Sequence, residues 1–109
     1  MATTVKEFKS WDKFRECDAQ EVKAQIGFMN LMAISGGRVG ISKTGVELPV
    51  SSGYRVYVNL DWNDTYTVQR VLVRKGVATL KGVVEGVYCD QVGEVAYQAS
   101  CYKNVAFGE

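Results

Sequence analysis

Histidine is absent from this chain of 109 residues, and with it the commonest general base at neutral pH and the commonest metal ligand. Cysteine is scarce and odd in number (Cys17, Cys89 and Cys101), a poor basis for a disulfide framework and without the spacing of a zinc site. If Cys89 and Cys101 share one helix they lie roughly 18 Å apart, beyond bonding range. Three reduced thiols are expected, at least two of them buried as small hydrophobes. No apolar run approaches the ~20 residues of a membrane span, and the opening MATTVKEFKSWDKF lacks a signal peptide's apolar region. Lys and Arg exceed Asp and Glu only by 13 to 12, so no charge excess points to nucleic acid or an anionic membrane. These absences favour a cytoplasmic protein that uses no cofactor.

What is present is a sheet. From Gly53 to Val84 the residues read as three consecutive antiparallel strands. Tyr54, Val56, Val58, Leu60 and Trp62 alternate with Arg55, Tyr57, Asn59 and Asp61, the period of a half-buried strand. Asn63-Asp64 and Lys75-Gly76 each suit a two-residue turn with positive φ. That loop length sets Leu60 across from Thr67, Val56 from Val71, and Val71 from Leu80. One face then gathers Tyr54, Val56, Val58, Leu60, Trp62, Val71, Val73, Ala78, Leu80 and Val84, and requires a helix to cover it.

The first 35 residues are expected to be helical, with a capping box at Thr4–Glu7 and an acidic variant at Asp18–Glu21. Phe8, Trp11 and Phe14 mark an irregular amphipathic segment. Val22, Ile26, Met29 and Ala33 recur at helical spacing, Gly27 is a point of kinking or splitting, and Ser35-Gly36-Gly37 is a stop. Two short strands are expected about Lys43-Thr44-Gly45, with the lone Pro49 at an edge. Cys89 to Tyr102 reads as a closing helix with the stripe Val92, Val95, Ala96 and Ala99. The fold class is therefore α+β: N-terminal helices, an antiparallel meander of three to five strands, and a C-terminal helix on one face. Residues 1–109 form one domain, with 1–18 an extension on a core at 19–109.

Catalytic and metal motifs are weak. SGGRVGISKTG suggests a phosphate loop, but Ser42 rather than glycine precedes Lys43, and the segment follows a helix where a strand is required. Asp61, Asn63 and Asp64 are too few ligands for a calcium loop, and a hairpin turn explains them. Cys89 near a helix N-terminus has no identifiable base beside it. No enzyme is expected.

The derived register places Arg55, Tyr57, Tyr66, Arg70 and Lys81 together on the reverse face of the sheet, with Val68, Leu72, Val77 and Val83. Rings interleaved with cations serve single-stranded nucleic-acid binders, and Tyr and Arg also anchor protein interfaces. The aliphatic residues argue for a covering partner. Protein binding is the leading reading, as a homodimer or with a bacterial host factor. Nucleic-acid binding is the alternative, disfavoured by the neutral net charge.

The stretches IGFMNLMAISGG, LDWNDTYTV and EGVYCDQVGEV, in that order between Val22 and Tyr102, resemble those of small uncharacterised proteins encoded by tailed bacteriophages and prophages. The resemblance implies a shared fold and a phage or prophage origin and carries no catalytic residues; together with the candidate binding face, it makes an accessory protein acting in the host's cytoplasm the expectation. Two features depart from the pattern: the N-terminal extension, and Cys89 where a small apolar residue is expected.

Overall fold

The computed structural model describes residues 3–4, 14–50 and 53–101. Phe8, Trp11 and the continuation of the Thr4–Glu7 capping box lie outside them. In chain order the elements are β1 (Thr3–Thr4), α1 (Ala19–Ile26), α2 (Phe28–Ser35), β2 (Gly40–Ile41), β3 (Gly45–Pro49), β4 (Tyr54–Leu60), β5 (Tyr66–Arg74), β6 (Val77–Val87) and α3 (Val92–Ser100). Strands β2 to β6 form an antiparallel meander, and β1 pairs at the outer edge of β6. The α+β architecture is as the sequence indicates, with helices before the sheet and one after it. An unbroken helical N-terminal region is not observed, since Thr3–Thr4 is strand and Phe14 bridges Asp61.

The second turn of the meander is as expected. Lys75 and Gly76 both have positive φ, and Val71 faces Leu80. The first turn is not. Asp61 N–H donates to the Thr65 carbonyl at 2.7 Å, so the loop holds three residues, Trp62, Asn63 and Asp64, rather than two. Asp64 takes φ 66°, and Asn63 Oδ1 accepts from both the N–H and the hydroxyl of Thr65. A type I turn closed by a left-handed residue is the usual three-residue hairpin, and Asn and Asp both favour it.

The extra residue shifts β5 by one, so Val56 faces Arg70, Val58 faces Val68 and Leu60 faces Tyr66. Every side chain of β5 thereby changes faces. Val71, Val73, Ala78 and Leu80 leave the helix-covered side, and Trp62 is exposed at the loop. Register shifts in β6 near Lys81 and before Val87 return Val84 and Val87 to the helix side, opposite Val68 and Tyr66.

The core lies between this face and the three helices. It joins Val46, Leu48, Val56, Val58, Tyr66, Val68 and Val87 of the sheet to Val22, Ile26, Leu31, Ile34, Val92, Ala96 and Ala99, with Leu60 and Val95 partly buried against it. Asp18 caps α1, its Oδ1 accepting from Gln20 N–H at 3.0 Å. Gly27, at φ 95°, divides α1 from α2, as its position mid-pattern suggested. The break rotates α2 relative to the pattern of α1: Leu31 and Ile34 turn inward, whereas Met29 and Ala33 are exposed. Gly36, left-handed at φ 66°, ends α2 where a stop was expected, its N–H donating to the Met32 carbonyl at 2.9 Å while the Gly37 N–H donates to the Leu31 carbonyl at 3.2 Å. Gly93 brings α3 against this junction, since a Cβ there would stand 2.4 Å from the Ile26 carbonyl oxygen.

None of the three cysteines is paired, but Cys89 and Cys101 are exposed, so the expectation of two buried thiols fails. Cys89 falls in the turn before α3, and Cys101 caps its end. Alkylation of the native protein without reductant should therefore modify Cys89 and Cys101 quickly. Cys17, half-buried and with its thiol pKa raised chiefly by burial, should lag until the chain is unfolded. Mass spectrometry of the timed digest checks the order; Cys17 reacting first would contradict the placement.

Candidate interaction surface

The five residues expected on one face do not share it. Arg55 and Tyr57 remain on the reverse face, where Arg55 pairs with Glu47 of β3. That carboxylate raises the guanidinium's pKa through its hydrogen bond and its charge, and burial raises the pKa of Tyr57. Tyr66 and Arg70 sit on the helix side, 4% and 2% exposed. The Tyr66 hydroxyl donates to Gln25 Oε1 of α1, and its pKa is pushed up to about 12, mainly by burial. Lys81 falls at a register shift of β6, between the residues paired with Arg70 and Val71. The row Tyr57–Arg70–Lys81 therefore does not form, because Tyr57 faces Gln69.

The aliphatic residues divide in the same way. Val68 is fully buried in the core and Leu72 follows it on the helix side, leaving Val77 and Val83 exposed. On the reverse face Thr67, Gln69 and Val71 are all buried, so this is not an open stacking platform.

The acidic turn is committed to its own architecture. Asp61 accepts from the Thr67 hydroxyl, and Asp64 pairs with Arg15. Among the described residues no group of three or more His, Cys, Asp or Glu is arranged to hold a metal ion. At the same end an open cleft of about 760 Å³ lies between Phe14, Thr44 and Trp62, rimmed by Arg15, Glu16 and Lys43. Its rim carries both signs of charge and so selects for neither. Among the described residues no helix is long and apolar enough to cross a membrane.

The feature that sequence periodicity missed is the outer face of α2. This helix, FMNLMAIS, has no charged residue. Leu31, Ile34 and Ser35 face inward, and Asn30 Nδ2 donates back to the Ile26 carbonyl at 2.9 Å. The opposite face presents Phe28, Met29 and Met32, which are 72%, 78% and 46% exposed. A helix apolar all round is ordinarily covered on all sides. The signal was available in the composition of the segment, which holds only two polar residues. A periodic pattern run through Gly27 hid it by assigning Met29 to the core.

Ile41, Trp62, Val77, Val83, Tyr88 and Tyr97 are also exposed, spread over β2, the first hairpin loop, β6, the segment before α3 and α3 itself, and scattered surface hydrophobes of this kind are common. No family model, curated protein or solved structure matches the chain.

Proposed function

We propose that this chain works by binding another protein through the outer face of α2, and that it does so without catalysing a reaction. The observation that carries this reading is an uncharged eight-residue helix with large apolar side chains on both faces, one face in the core and the other in solvent. At roughly 200 Å² for a fully exposed large side chain, Phe28, Met29 and Met32 together offer about 390 Å², within the range at which a surface patch is often functional. Methionine suits such a face, because its unbranched chain and polarizable sulfur adapt to varied partners. In a phage or prophage setting, the origin suggested by the sequence resemblance, the partner is a second copy of the chain or a bacterial host factor in the host cytoplasm.

The test is comparative capture from bacterial lysate. Phe28→Ser/Met29→Ser should lose the proteins retained by the wild type. Arg55→Ala/Tyr57→Ala, which alters the reverse face, should keep them. The α2 variant should unfold within about 0.5 kcal/mol of wild type, because Phe28 and Met29 are largely exposed. The reverse-face variant loses the Glu47 ion pair and a half-buried ring, so it should be less stable but still folded at the temperature of capture. Unchanged capture by the α2 variant, or loss with the reverse-face variant, overturns the assignment.

A further inference from the structure

We infer that the open cleft beside the first hairpin loop binds a small aromatic zwitterion, an amino acid with a ring side chain. The site is separate from the surface assigned above, since no residue of α2 lines it. Its volume of about 760 Å³ is that of a small-molecule site, a class that combines apolar walls with a few placed polar groups. Here the apolar walls are two rings. Phe14 is buried, whereas Trp62 is 69% exposed and its indole N–H has no hydrogen-bond partner among the described residues.

The backbone fixes the frame around those rings. Arg15 N–H donates to the Leu60 carbonyl and Cys17 N–H to the Lys43 carbonyl, each at 2.9 Å, so Glu16 is held between two ties and beside Lys43. Both residues line the cleft. The three charges on the rim are not equivalent. Arg15 pairs with Asp64, whereas Lys43 and Glu16 are exposed and have no ion-pair partner among the described residues, including each other. One free cation and one free anion thus stand beside an aromatic wall.

Charge complementarity selects the ligand. An anion attracted by Lys43 is opposed by Glu16, and a cation attracted by Glu16 is opposed by Lys43. A neutral sugar gains from neither charge. An α-amino acid carries both signs one carbon apart, its carboxylate for Lys43 and its ammonium for Glu16, and a ring side chain stacks against Trp62. Both charges work in contact with water and the cleft is open, so the affinity is low, with a Kd on the order of 1 mM.

The experiment follows N–H signals by NMR in the isotope-labelled full chain, with the Trp62 indole signal assigned by its loss in Trp62→Phe. L-phenylalanine should move that signal saturably. Phenylpropionate, which lacks the ammonium, and phenylethylamine, which lacks the carboxylate, should each bind about threefold more weakly. Lys43→Gln should weaken L-phenylalanine by a similar factor without weakening phenylethylamine. Glu16→Gln should weaken L-phenylalanine without weakening phenylpropionate. Both side chains are exposed, so the urea midpoints of these variants should match that of the wild type.

Equal affinity for the three ring compounds would mean that the charges take no part, and it overturns the zwitterion. Adenosine monophosphate binding more tightly than L-phenylalanine reassigns the cleft to an anion and overturns it too. A Trp62 indole signal that none of these compounds moves at up to roughly 10 mM overturns the site itself. None of these results bears on capture through α2, which is read with Phe28→Ser/Met29→Ser.

Discussion

Gly45→Ala is expected to cost this protein about 3 kcal/mol or more. A Cβ at Gly45 would stand 1.8 Å from the Val58 carbonyl oxygen, 2.8 Å from its carbon and 2.9 Å from Asn59 Cα. All three are backbone atoms of the neighbouring strand, so no side chain can swing aside. Relief requires β3 and β4 to separate where Gly45 faces Asn59. That would strain the flanking bonds, Leu60 N–H to the Thr44 carbonyl at 2.9 Å and Ser42 N–H to the Gly45 carbonyl at 3.0 Å. It would also pull at the buried Thr44 hydroxyl, which donates to Asn59 Oδ1 at 2.7 Å. Overpacking ordinarily costs about 1–3 kcal/mol, and the added strain on these bonds places this substitution at or above that range. Urea unfolding measures it; a loss below about 0.5 kcal/mol would mean that β3 does not lie against β4 as described.

Leu48→Ala is the second large effect. Leu48 is fully buried, faces Val56, and joins the core cluster shared with α1 and α2. Removing three carbons there should cost about 2–5 kcal/mol, with the spread set by how far α1 and α2 can settle into the space. Leu60→Ala should cost less, because Leu60 is only partly buried at the end of β4. Phe28→Ser provides the contrast, a larger side chain whose removal should scarcely change stability. If Phe28→Ser proved as costly as Leu48→Ala, Phe28 would belong to the core and α2 would have no free face.

The parts of the fold legible in the sequence are those where local chemistry leaves one solution. Lys75-Gly76 requires positive φ at both positions and forms the expected turn. Gly36 can end a helix in the left-handed region, and Gly27 can divide one. The first hairpin was not legible because its length depends on bonds between Asn63, Thr65 and Asp61 that a two-residue turn would not make. Hydrophobic pattern could not arbitrate. β5 carries valine on both faces, at Val68 and at Val71 and Val73, and Tyr66 to Val71 are all buried, so either register looks apolar. The candidate cluster at Tyr57, Arg70 and Lys81 depended on that register and dispersed with it. The α2 surface was hidden for a related reason, since the turn at Gly27 changes which residues of the same apolar stretch reach the core.

The chain has three methionines, Met1, Met29 and Met32, so two of its three methyl signals report directly on the outer face of α2. Relaxation of those methyl groups by a soluble nitroxide should be strong in dilute protein. It should fall as the protein is concentrated or saturated with a captured partner, while the signals of Ile41 and Val77 methyl groups stay equally accessible. Methyl groups of Met29 and Met32 that remain fully exposed in the complex would contradict the assignment of α2 as the binding surface.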